Sequence, residues 1–249
     1  MAALVLREDR DGLVTLSLNR PDKLNALTIP LFEELDAHLA DIETRKDSVG
    51  LVVLRGVGKG FCAGNDLTAI RAVYTPPRPN FQSTVVERLA DLPQPVIVAV
   101  HGACYTGGLE LALAGDLILA AQSARFADTH AKWSLAPVWG MSQRLPRRIG
   151  LSKAREMMLT SRTYNGEQGL AMGLANWCVP DADFDAAVSA TAAEMLALSW
   201  HSLRANKALL RDTDGLSLKD GLAHEVYRSE GVGRDMADRI AAFAARKTA

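Results

Sequence analysis

Apolar residues along this chain fall into a few distinct rhythms, and the switches between them lay out its elements. Residues 3–8 and 13–19 read as two paired strands around an Asp11-Gly12 turn. Leu31, Leu35, Leu39 and Ile42 then recur at helical spacing after Pro30, which predicts a helix. The apolar run 51–54 predicts a strand over 50–55, and the unbroken run 96–100 predicts one buried on both faces. Residues 81–91 and 107–114 read as helices, 116–121 as a further strand, and the Pro-rich stretch 74–80 as a surface loop. Strands alternating with helices predict an α/β architecture. From about residue 183 the rhythm changes: 196–211 and 216–246 are helical, rich in Ala, Leu and Arg, with no strand pattern. An α/β core over 1–195 and an all-helical region over 196–249 follow.

Composition narrows the class. A chain of 249 residues, 48% hydrophobic, can bury a sizeable core as one large domain. A net charge of −1 gives no general affinity for nucleic acid or for an anionic membrane. No stretch reaches the ~20 apolar residues of a membrane span. The apolar start is cut short by Arg7-Glu8-Asp9-Arg10, so no signal peptide is expected. Cys62, Cys104 and Cys178 are odd in number, far apart and without metal-ligand spacing, which predicts free thiols in a reducing cytoplasm and no metal.

Two segments carry candidate chemistry. In Ala99-Val100-His101-Gly102-Ala103-Cys104-Tyr105-Thr106-Gly107-Gly108-Leu109-Glu110 a strand ends, turns, and enters a helix through a Gly pair. Backbone N–H groups exposed there suit an oxygen that gains negative charge during a reaction. Glu110 stands one turn further on, either as a catalytic carboxylate or as a residue that merely caps the helix. In Gly56-Val57-Gly58-Lys59-Gly60-Phe61-Cys62-Ala63-Gly64-Asn65-Asp66-Leu67 a second strand ends in a glycine-containing turn. Phe61 stands where a dinucleotide loop needs its third Gly, and no Gly-Lys-Ser/Thr follows, so this is neither a nucleotide fingerprint nor a P-loop.

Four blocks then fall in one order: Asn19-Arg20-Pro21-x-Lys23-x-Asn25-Ala26-Leu27, Phe61-Cys62-Ala63-Gly64-x-Asp66-Leu67, Gly102-x-x-x-x-Gly107-Gly108-x-Glu110-Leu111 and Gly140-x-x-x-Arg144-Leu145. Together they resemble the enoyl-CoA hydratase/isomerase (crotonase) family over the first two thirds of the chain. The resemblance implies a spiral of ββα turns with a helical C-terminal region that assembles homotrimers or homohexamers. It implies an acyl-CoA thioester as substrate, with CoA part of that substrate and no separate cofactor. The leading activity is hydration of trans-2-enoyl-CoA to 3-hydroxyacyl-CoA, a hydro-lyase reaction. Isomerisation, decarboxylation or thioester hydrolysis on the same site, or a non-catalytic acyl-CoA-binding subunit, are the alternatives.

Carried over position by position, the resemblance implies an oxyanion hole from the backbone N–H groups of Asn65 and Gly107. It implies CoA contacts at Lys23, Leu24, Ala26, Ala63, Asp66 and Leu67. Hydratases carry two catalytic Glu residues; Glu110 matches the first, and the second position falls on His130. Histidine can do either half of acid–base work near neutral pH. Glu110, near a helix start, is expected to stay ionised and act as base. Asp128 either orients His130, replaces it, or is a solvated strand-edge residue. Trp133 and Trp139 stand where typical hydratases have smaller residues, as core filling or as walls of the acyl channel. Phe243, Arg246 and Lys247 weakly resemble a tail motif that reaches a neighbour's CoA.

Overall fold

The computed structural model describes residues 2–68 and 76–247, without the side chains of the last two. Its frame is a sheet of six strands. β1 (Val5–Arg10) and β2 (Leu13–Leu18) form an antiparallel hairpin whose Asp11 and Gly12 both adopt positive φ, 50° and 83°. Asp and Gly are residues that tolerate that backbone. β3 (Leu51–Gly56), β4 (Val96–Val100), β6 (Leu117–Ala121) and β9 (Trp177–Val179) add in parallel, giving the order β1-β2-β3-β4-β6-β9. A second sheet of three short strands, β5 (Ala103–Tyr105), β7 (Arg125–Ala127) and β8 (Tyr164–Asn165), stands beside it.

The central strands are apolar throughout because both of their faces are covered. Side chains alternate along a strand, so Val52, Leu54, Val96, Val98, Ile118 and Ala120 enter one core. Leu51, Val53, Ile97, Ala99, Leu119 and Ala121 enter the other. The first core is closed by α1 (Ile29–Thr44), through Leu31, Leu35, Leu39 and Ile42, and by α2 (Phe81–Asp91), through Phe81, Val85 and Leu89. Thr28 caps α1 by accepting the Leu31 N–H, and Pro30 occupies the first turn, where its missing N–H costs nothing. The remaining helices are α3 (Gly107–Leu113), α4 (Met141–Ile149), α5 (Leu151–Thr160), α6 (Gly166–Ala171), α7 (Phe184–Leu196), α8 (Trp200–Asp212), α9 (Leu218–Arg228) and α10 (Met236–Lys247). The second core is closed by α7, through Phe184, Val188 and Ala192.

The predicted strands and helices of the first 121 residues are observed to within a residue or two at each end. The helix expected over 216–246 is two helices, α9 and α10, separated where Gly231 takes φ +63° and Gly233 follows. The helix expected over 196–211 starts at Trp200, after α7 has ended at Leu196. The Trp200 indole joins the tail to the frame: a Cβ at Gly12 or at Gly50 would stand 2.4 Å from it. Residues 161–179 contribute β8, α6 and β9, elements too short for periodicity to mark. Of the expected loop at 74–80, Tyr74 and Thr75 lie outside the described residues, and 76–80 carry no helix or strand. Among the described residues no helix is long and apolar enough to cross a membrane.

Candidate active site

The site is built where two parallel strands end. After β4 the chain runs through β5 to Thr106 and enters α3, all seven residues of which are buried. Thr106 has φ 51° and ψ −112°, a strained backbone for a β-branched residue. The surroundings fix it there: its N–H donates to the Ala127 carbonyl at 2.9 Å, and its hydroxyl accepts the Thr129 N–H at 3.2 Å and touches the Thr129 hydroxyl. The next two residues must be Gly for lack of space. A Cβ at Gly107 would lie 2.5 Å from the Trp139 ring, and one at Gly108 would lie 2.4 Å from the Cys62 carbonyl oxygen.

The second turn follows β3. Fully buried Asn25 ties it to the loop of the first sequence block: its amide donates to the Val57 and Gly60 carbonyls at 2.9 and 2.8 Å, and its oxygen accepts the Arg20 N–H. Leu27 donates its N–H to Gly64 and accepts from Asp66, in a bridge that straddles Asn65. That pattern leaves the Asn65 N–H out of the ladder. Gly64 brings the two turns together, because a Cβ there would lie 3.5 Å from the Gly107 nitrogen. Among the described residues neither the Asn65 N–H nor the Gly107 N–H has a hydrogen-bond partner. At seven residues α3 has only a short dipole, so these donors act as local N–H groups.

Glu110 is 1% exposed. One carboxylate oxygen, Oε1, accepts the Trp139 N–H at 2.9 Å and the Met141 N–H at 3.2 Å. The other, Oε2, faces His130 Nε2 at 3.7 Å. Burial pushes the Glu110 carboxyl above the usual carboxylate range; the Met141 and Trp139 N–H groups and the His130 charge pull it back, and the Asp128 charge adds to the rise. The expectation of a carboxylate kept ionised by a helix start is therefore opposed by desolvation, the larger influence. The Glu110 side chain does not cap its own helix, since its bonded oxygen, Oε1, accepts from a distant turn. Arg144, from the fourth sequence block, pins that turn by donating to the Trp139 carbonyl at 2.8 Å and pairing with Glu87 at 2.9 Å.

A cavity of about 500 Å³ opens beside both turns. Lys23, Ala26, Ala63, Asn65, Asp66 and Leu67 line it, with Thr106, Thr129, Trp133 and Leu135. Five of the six expected CoA contacts thus share one wall. Leu24 lies next to it, with an exposed side chain and a carbonyl that accepts the Ala63 N–H. The Asp66 carboxylate pairs with Arg20 at 2.9 Å. Glu110 and His130 are buried off this wall, Glu110 one helical turn after Thr106 and His130 next to Thr129. Trp133 is 53% exposed at the cavity, whereas Trp139 is core, edge-on to Phe32 at 5.2 Å. Phe243 is on exposed α10 and is not among the described residues that line the wall, and the side chains of Arg246 and Lys247 lie outside the described residues. Larger grooves, of about 640 and 570 Å³, run along α8 and are flanked by paired Arg and acidic residues.

The description of the enoyl-CoA hydratase/isomerase family matches residues 8–239. The chain belongs to that family. It is 33% identical to the 1,2-epoxyphenylacetyl-CoA isomerase of Escherichia coli, covering 100% of this chain and 98% of the relative. It is 32% identical to a probable enoyl-CoA hydratase of Mycobacterium tuberculosis, over 96% and 93% of the two chains. The crystal structure of an enoyl-CoA hydratase from Bacillus anthracis matches with a TM-score of 0.91 at 31% identity, over 98% and 96% of the two chains. The fold is accordingly the crotonase spiral with a helical C-terminal region. A putative enoyl-CoA hydratase of Thermobifida fusca, solved in complex with acetoacetyl-CoA, matches with a TM-score of 0.82 at 26% identity, over 90% and 92%.

Two outcomes follow from this family member's geometry. Gly107→Ala drives a methyl into the buried Trp139 ring, so it should cost about 1–3 kcal/mol of stability and lower turnover by shifting the turn that holds Glu110. Thermal melts and initial rates on one preparation check both. Glu110→Gln keeps an oxygen for the Trp139 and Met141 N–H groups and removes the buried charge. The folded pKa is raised, so the native state binds the proton more tightly than the unfolded chain, and the parent loses stability as pH climbs from roughly 4 through the folded value. The melting temperature of Glu110→Gln minus that of the parent should therefore grow with pH over that window and then level. A difference that shrinks with pH would mean the two N–H bonds outweigh burial.

Proposed function

We propose that this protein adds water across the double bond of a trans-2-enoyl-CoA thioester to give the 3-hydroxyacyl-CoA. The observation that carries the reading is the buried Glu110–His130 pair, 3.7 Å apart, beside two turns whose Asn65 and Gly107 N–H groups are unpaired among the described residues. On this reading the thioester oxygen rests on those two N–H groups and becomes an enolate as water adds. Donors aimed at such an oxygen are worth roughly 3–4 kcal/mol each in comparable sites. On this reading one water touches both Glu110 Oε2 and His130 Nε2, which are 3.7 Å apart. Glu110 takes a proton from it, the oxygen bonds the β-carbon, and the π electrons move onto the thioester oxygen. The His130 imidazolium gives its Nε2 proton to the α-carbon as the enolate collapses. The proton on Glu110 then returns to His130, so the cycle closes with water added and nothing else consumed. A carboxyl raised by burial suits this task, because a base works best when its pKa approaches the operating pH.

The CoA portion is assigned to the cavity wall of Lys23, Ala26, Ala63, Asp66 and Leu67, with Leu24 shaping it through its carbonyl. With Asp66 already paired to Arg20, the contacts there are mostly backbone, and Lys23 meets a phosphate as a point charge. The acetoacetyl-CoA complex of the Thermobifida fusca relative supports a thioester ligand. The chemistry needs no cofactor beyond the CoA already on the substrate. Homotrimers or homohexamers are assigned to the tail, on the support of Leu210, Leu218, Val226, Tyr227 and Ile240, all large, apolar and exposed. A cytoplasmic setting is supported by three free thiols. Double-bond isomerisation on the same thioester is the second reading; the whole-length likeness to the Escherichia coli 1,2-epoxyphenylacetyl-CoA isomerase supports isomerase chemistry on a CoA thioester in general.

A panel of short and medium enoyl-CoA substrates, followed by the loss of the conjugated enone absorbance, tests the reaction. Glu110→Gln should lose on the order of 10²-fold or more in rate, and His130→Glu should retain hydration. If His130→Ala is silent while Glu110→Gln is dead, isomerisation replaces hydration. Deleting residues 216–249 should lower oligomeric state and solubility together, read by light scattering; a truncated chain that stays a folded trimer would remove the tail from assembly.

A further inference from the structure

His130 is tied to one oxygen twice. Its backbone N–H and its ring Nδ1 both reach Asp128 Oδ1, at 3.0 and 2.6 Å. Asp128 is 2% exposed and His130 8%, so this is a buried contact and not a solvated strand-edge pair. An ionised carboxylate only accepts, which puts the ring proton on Nδ1 and leaves Nε2 to face Glu110 Oε2 at 3.7 Å. We infer that Asp128 is a positioning residue: its carboxylate holds the His130 ring in one orientation and supplies the charge that favours the imidazolium, so that Nε2 meets Glu110 and the substrate carrying a transferable proton. What Nε2 then does rests on the hydratase reading; how the ring is held does not.

The ionisable groups against the ring are Asp128 on its own segment and Glu110 on α3. Lys132, on the same turn as His130, lines the cavity. Helix α5 packs against that turn; its Lys153 and Glu156 pair with each other at 2.7 Å, and Arg155 is exposed. Asp128 is therefore the negative charge in hydrogen-bond contact with the imidazolium. In Asp128→Asn the amide oxygen can still accept from both His130 groups, so the ring stays placed while the charge is lost. The imidazolium is then less favoured, and the limb on which activity falls with rising pH moves to lower pH.

The decisive measurement is an NMR titration of the His130 ring in the ligand-free enzyme, parent against Asp128→Asn. The expected result is a downward shift of the imidazole titration by on the order of one pH unit or more. Turnover should fall on the order of 10²-fold, with the pH–rate limb moving the same way and KM changing little. In a His130→Gln background the Asp128→Asn change should add less than about threefold, since partners in one interaction are not additive. An unmoved titration, or an undiminished Asp128→Asn effect in that background, overturns the inference. If the parent turns over no enoyl-CoA the hydratase reading fails, yet the titration still decides the role of Asp128. Asp128→Ser, which keeps a small acceptor for the backbone N–H, carries the same titration if the Asn chain does not fold.

Discussion

Sealing a carboxylate inside a protein core raises its proton affinity, because water no longer solvates the charge. Glu110 is sealed in this way, and the arrangement around it is organised by what still touches its two oxygens. Oε1 is satisfied by the backbone of residues 139 and 141, and Oε2 faces His130. Arg144 fixes the carbonyl of Trp139, and the Trp139 ring fills the space over Gly107. A single turn therefore holds the carboxylate, blocks any side chain at residue 107 and closes the core behind both. These roles depend on one another, which explains why the fourth sequence block matters although none of its residues is assigned a reaction step.

The sheet supplies the rigidity this needs. β3 and β4 are buried on both faces, so neither can slip register without moving a full set of apolar side chains out of its core. Their ends are correspondingly fixed, and the two turns that leave them are fixed with them. The buried Asn25 amide and the straddled Asn65 bridge lock the turn after β3 to the loop of the first sequence block, and the Cys62–Cys104 bridge locks it to the segment after β4. On the hydratase reading, donors placed in this way need no reorganisation when charge develops on a bound oxygen.

Much of this was legible in the sequence, for identifiable reasons. The run 96–100 and the helix 29–44 were readable because burial imposes a period on long elements. The juxtaposition of Gly107, Glu110 and His130 was readable because they stand at positions matching the family's motifs, while their roles belong to the proposed reaction. Trp139 was not, because its contact with Gly107 joins residues 32 positions apart, and no local pattern separates a core indole from one lining a channel. The strain at Thr106 was invisible for a similar reason: it is imposed by Ala127 and Thr129, on another strand and its following turn. β5, β7 and β8 are two or three residues long and leave no period to read.

The exchange of a second Glu for His130 looks like a break in the chemistry until Asp128 is counted with it. A protonated carboxylic acid is neutral and carries one transferable proton. An imidazolium hydrogen-bonded to a carboxylate is also neutral as a pair and carries one transferable proton, on Nε2. After transfer, a glutamate and a neutral His–Asp pair each bear one negative charge. Charge and proton count therefore match at both stages, and Glu110 meets the same electrostatic neighbour that a second Glu would present. What changes is the proton's affinity for its site. Imidazole works near neutral pH without the burial a carboxyl would need to be raised that far. Two close carboxylates must share one proton to coexist, whereas the His–Asp pair brings its own counter-charge. On the hydratase reading, the substitution preserves the balance of the reaction while removing the need for a second strongly shifted carboxyl.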